Sequence, residues 1–92
     1  MLRGMYMSNI RTKNHIKITG YVTSVDHDKG NNVLQVAIET ENFEHYIVAD
    51  NRIGKELLNC VDQKVKVSGL IIGEYFDGSE IIHVYTYRIL KK

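Results

Sequence analysis

Four histidines, one cysteine and a short acidic cluster are the residues whose types could support acid–base, nucleophilic or metal chemistry. His15, His27, His45 and His83 are scattered along the sequence, and a lone strand histidine is more often a surface or core residue than a ligand. Asp26-His27-Asp28 invites a cation, but a calcium loop of the EF-hand kind starting at Asp26 needs a glutamate at its twelfth position, where Ala37 stands. Cys60 has no second cysteine to complete a zinc site and no base beside it in sequence, so a buried, inert thiol is expected. There is no Gly-rich phosphate loop. These residues predict no enzyme, no metal and no cofactor.

Binding chemistry has more of its parts. Single-stranded nucleic acid is held by a cationic groove that follows phosphates and by flat rings on which bases stack. The rings are Tyr21, Phe43, Tyr46, Tyr75 and Phe76, and the charges are Lys17, Lys29, Lys64, Lys66, Arg88, Lys91 and Lys92. The candidate contacts are Lys17, Tyr21, Lys29, Phe43, Tyr46, Lys66 and Tyr75. Against this stands the plainer reading of core or rim aromatics and solvated lysines. A second candidate surface is the apolar excess of the last hairpin, where Leu70-Ile71-Ile72 answers Ile81, Ile82, Val84, Tyr85 and Tyr87. Both faces of such a hairpin cannot point into one small core. An outer patch of Leu70, Ile72, Tyr85 and Tyr87 is therefore expected as an oligomer interface, most simply in a homodimer.

The elements that must carry these residues are short strands. Ile16-Lys17-Ile18-Thr19-Gly20-Tyr21-Val22 and Val65-Lys66-Val67-Ser68-Gly69-Leu70-Ile71 repeat one pattern, an alternating strand with glycine at its middle. The first strand is predicted over Ile16–Val25, with Tyr21 and Lys17 outward. The second is Val33–Glu39, with Leu34, Val36 and Ile38 inward, and the third is Phe43–Ala49, of ambiguous phase. Strands four and five are Lys64–Tyr75 and Glu80–Leu90. Asp26–Asn32 and Asp77-Gly78 are turns, and the chain has no proline. Asp50 or Asn51 can cap a short helix near Ile53–Cys60, whose Ile53, Leu57 and Val61 share a face. Residues 1–14 are polar and aperiodic and read as a flexible arm before one domain over 15–92.

Composition sets few further limits. A chain of 92 residues with 43% apolar and 25% charged residues has the makings of one globular core. Its net charge of +1 means that any phosphate contact depends on how the charges are placed. A single cysteine fits a reducing, cytoplasmic setting. Met1–Ile10 offers no apolar run long enough for a signal peptide or a membrane span, and Met5 or Met7 could serve as a later start.

Three strands, a short helix and a two-stranded hairpin is the order of the OB-fold, a five-stranded Greek-key barrel. Asn14, Ile16, Ile18, Gly20 and Val22, then Gly54-Lys55-Glu56-Leu57, then Val65, Val67, Gly69 and Tyr75 resemble a trimmed bacterial single-stranded DNA-binding protein or a primosomal accessory OB protein. The resemblance implies an all-β OB barrel that binds single-stranded DNA or RNA. In that family strands two and three form the platform, bases commonly stack on tryptophan, and a Gly-rich linker ends in an acidic tip. Here Val33–Asp50 holds Glu39, Glu41, Glu44 and Asp50 with no Lys or Arg, there is no tryptophan, and the sequence ends Lys91-Lys92. A protein-interaction or oligomerisation barrel is the alternative. A small-ligand protein or enzyme is a third class, requiring a deep pocket that the sequence does not promise.

Overall fold

The computed structural model describes residues 15–90; the expected arm over residues 1–14, together with Lys91 and Lys92, lies outside the described residues. The elements run β1 (His15–His27), β2 (Val33–Thr40), β3 (His45–Val48), α1 (Arg52–Leu57), β4 (Lys64–Glu74) and β5 (Glu80–Ile89). The strands close into a barrel in the order β1-β2-β3-β5-β4, with β3 and β5 parallel and the other pairs antiparallel. This is the five-stranded Greek-key OB arrangement, with its one short helix between β3 and β4.

Barrel closure depends on the length of β1. Its first half, His15–Tyr21, pairs with β4, and its second half, from Gly20 onward, pairs with β2. Gly20 and Tyr21 belong to both ladders, so the strand turns its corner there. A Cβ on Gly20 would fall on the carbonyl oxygen of Glu39, and one on Gly69 on the carbonyl oxygen of His83. The glycine in each copy of the repeat thus admits the backbone of a neighbouring strand.

Inside the barrel, Val22, Val36, Ile38, Val48, Val65, Val67, Ile82 and Val84 form the core, and Leu57 and Cys60 close one end. Each such side chain contributes about 1.5–3 kcal/mol by leaving water. The helix starts at Asn51, whose Oδ1 accepts from the Gly54 N–H at 2.6 Å while its Nδ2 donates to the Val84 carbonyl at 3.3 Å. One side chain therefore caps α1 and ties it to β5. The helix ends at Leu57, before the Cys60 expected from spacing, and the chain turns through Cys60 and Asp62 back to Val22.

Bulges overturn two sequence-based placements, and a turn overturns a third. Where β1 meets β2, the register skips Val25 and then Leu34, and Leu34 faces solvent instead of the core. In β5 the register skips Tyr85, so Tyr87 falls on the core side opposite Val67. Phe43 is not part of β3. It lies in the β2–β3 turn at φ 66°, with its N–H donating to the Thr40 carbonyl.

Candidate functional site

The outer side of β1, β4 and β5 is built by register. Residues paired across antiparallel strands share a face, and alternate residues along a strand continue it. Four rows result: His15–Leu70–His83, then Lys17–Ser68–Thr86, then Thr19–Lys66–Arg88, then Tyr21–Lys64 with Leu90 beyond. Lys17, Lys64, Lys66 and Arg88 are thus gathered on one face, and no carboxylate occupies any position in these rows. Tyr21 is 46% exposed, with the Lys64 ammonium 6.0 Å from its ring centre. Glu41 lies 4.0 Å from that ammonium and Glu39 pairs with Tyr21 from β2, so acidic residues mark one border of the face.

The sequence candidates separate into groups on this frame. Lys17, Tyr21 and Lys66 lie on this one face, joined by Lys64 and Arg88. Lys29 is elsewhere. It lies in the β1–β2 loop, beyond His27, about 20 Å along β1 from Tyr21 at ~3.3 Å per residue. That loop is organised by Asp28, whose Oδ1 accepts from the Gly30 and Asn32 amides at 2.8 and 3.0 Å. Tyr75 is also apart from the lysine face. Its hydroxyl donates to Gln35 Oε1 at 3.2 Å and its ring packs on Phe76, with centroids 4.4 Å apart.

Tyr46 turns inward at the barrel mouth. It packs against the core and donates to Glu44 Oε1 at 3.3 Å; burial, then the nearby Glu44 and Glu80 carboxylates, push its hydroxyl pKa up. Phe43 is 84% exposed at the tip of the adjoining turn.

The outer side of β2 and β3, the platform implied by the resemblance, is differently built. Ala37 and Ile47 belong to it by register, yet they are 0% and 1% exposed. Beyond them, a surface depression of about 390 Å³ is walled by Glu44, His45, Asp77 and Glu80. Such a wall repels phosphate. No protein-family model, curated protein or solved structure matches the chain.

One of the four residues of the expected oligomer patch is turned away from it. Leu70 is half-buried between His15 and His83. Ile72 and Tyr85 are exposed, each as the unpaired residue of a bulge. Tyr87 is the correction: the Tyr85 bulge inverts its facing, and its hydroxyl donates to Glu56 Oε1 on α1 at 3.0 Å, which raises its pKa. Cys60 is buried, and burial followed by Glu56 raises its thiol pKa, which suppresses the nucleophilic thiolate. Among the described residues no group of three His, Cys, Asp or Glu side chains could hold a metal, and no helix is long and apolar enough to cross a membrane.

Proposed function

We propose that this protein is a non-catalytic OB barrel that binds single-stranded nucleic acid across the outer face of β1, β4 and β5. One observation carries the reading: Lys17, Lys64, Lys66 and Arg88 share that face with the exposed ring of Tyr21, with no carboxylate among them. In a chain of net charge +1, this is placement of charge and not bulk basicity. Phosphates follow the cations and a base covers Tyr21, the division of labour used by strand-binding grooves. The barrel resembles the bacterial single-stranded DNA-binding proteins in its glycine-centred strands, but the strand is carried on a different side because the β2–β3 side is acidic and closed.

The test is fluorescence anisotropy of a labelled oligo-dT strand titrated with the protein at low salt, beside a duplex of the same length. Binding that prefers the single strand supports the proposal. Absence of binding favours the protein-interaction alternative, which draws on exposed Ile72 and Phe76.

A further inference from the structure

Resting on that proposed function, we infer that Tyr85 is a second base-stacking platform at the far end of the same face, flanked by His15 and His83. The bulge in β5 is the first observation. Ser68 pairs with Thr86 and Gly69 with Val84, so Tyr85 is left without a partner, and it and Thr86, neighbours in sequence, are both exposed. Bulges re-aim side chains in this way, and they concentrate near functional sites. Tyr85 is 45% exposed, nearly the same as Tyr21.

Its surroundings are the second observation. The His15 ring stacks on Tyr85 at 5.8 Å between centroids with an interplanar angle of 25°, and His83 meets it edge-on at 5.4 Å. His83 is itself within 3.4 Å of the Asn51 amide. Three flat rings from β1 and β5 are thus held together, next to the row that contains Lys17. An aromatic side chain steadied by neighbours loses little freedom when a base covers it.

The third observation is spacing. His15 and Tyr21 are six residues apart on β1, about 20 Å at ~3.3 Å per residue. Lys17, Lys66 and Arg88 occupy the interval. A stacked strand at ~3.4 Å per nucleotide crosses it with about six nucleotides. That length falls within the range of roughly 4–16 nucleotides that single barrels of this class occupy. The ligand is a single strand long enough to lay one base on Tyr21 and another on Tyr85, with its phosphates over the lysines between.

The experiment compares the full chain with its Tyr85→Ala, Tyr85→Phe and Tyr21→Ala variants on labelled dT12 and dT3. On dT12, Tyr85→Ala is expected to weaken binding about tenfold, the loss of one stacked base, and Tyr85→Phe to retain it. On dT3, which cannot reach both rings, Tyr85→Ala is expected to stay within about twofold of the parent protein because the Tyr21 end remains intact. Photocrosslinking of the parent protein to iodouracil-containing dT12 is expected to label the peptides carrying Tyr21 and Tyr85, and this readout does not depend on any variant folding. If Tyr85→Ala binds dT12 like the parent while Tyr21→Ala is weakened, the second platform is overturned and the proposed function stands. If the parent protein binds neither strand, both fail. A fall in solution mass that accompanies the Tyr85→Ala loss makes Tyr85 a contact between copies and also overturns the inference.

Discussion

The ammonium of Lys64 lies 6.0 Å from the centre of the Tyr21 ring, on the β4 residue that pairs with Tyr21 of β1. The pairing holds a cation over one part of the ring and leaves the rest of its exposed face to a ligand, so phosphate and base contacts can form side by side. Replacing Tyr21 with Ala should weaken single-strand binding by about 1–3 kcal/mol, and Tyr21→Phe should preserve most of it. Anisotropy titrations of the two variants check this, with an unchanged affinity for Tyr21→Ala as the adverse result.

Phe43 occupies the place of glycine in a three-residue hairpin loop. Thr40 and Glu44 close the loop, and Phe43 follows at φ 66°, a conformation that costs a bulky residue about 1–2 kcal/mol. Because its ring is exposed, little packing offsets that cost. Phe43→Asn should therefore raise stability by roughly 0.5–1.5 kcal/mol, seen as a higher urea midpoint with an unchanged m-value. A lower midpoint would show that the ring's packing outweighs the backbone strain.

The paired glycines make a sharper claim on the barrel. Gly20→Ala and Gly69→Ala each push a methyl group into a backbone carbonyl, of Glu39 and of His83 respectively, and backbone cannot swing aside as a flexible side chain can. Each should destabilise by about 1–3 kcal/mol or more, whereas Gly73→Ala, with nothing nearer than the tip of Ile81, should stay within roughly 0.5 kcal/mol. Thermal melts of the three variants separate these outcomes.

This is also where sequence and structure part company. The repeat around Gly20 and Gly69 made β1 and β4 readable, and with them the barrel, because strict alternation carries both strand and facing. Alternation fails at an inserted residue. Leu34, Ile72 and Tyr85 are the unpaired residues of bulges, and each inverts the count that a period of two would continue. Leu34 was therefore expected inside and Tyr87 outside, and both are reversed. Phe43 was read as strand because an aromatic at a glycine position gives no turn signal. Lys17, Tyr21 and Lys66 were legible as a group because no bulge lies between them. Lys29 and Tyr75 were not separable from them without knowing which ends of the strands meet.

Acid should loosen the β1–β2 loop in a defined direction. Hydrogen bonds from the Asn32 backbone and side chain, and from the Gly30 amide, hold the Asp28 carboxyl below the usual carboxylate range. A lowered folded pKa contributes stability that is fully present above the unfolded value of about 3.9 and is lost as pH falls through the folded value. The melting difference between the parent protein and Asp28→Ala should be constant above about pH 5 and shrink as pH falls below about 4. A difference that widens with acid would contradict the assignment.

The central claim, that phosphates are held by the β1–β4–β5 face, is tested most directly by the salt dependence of oligo-dT affinity in the parent protein and in a Lys17→Ala/Lys66→Ala/Arg88→Ala variant. Single strands lose about 0.7 in the slope of log affinity against log salt for each phosphate neutralised, so four engaged cations predict a slope near −3. The triple variant should fall to roughly −0.7, carried by Lys64 alone. A parent protein that does not bind, or a variant whose slope matches the parent's, would contradict the account.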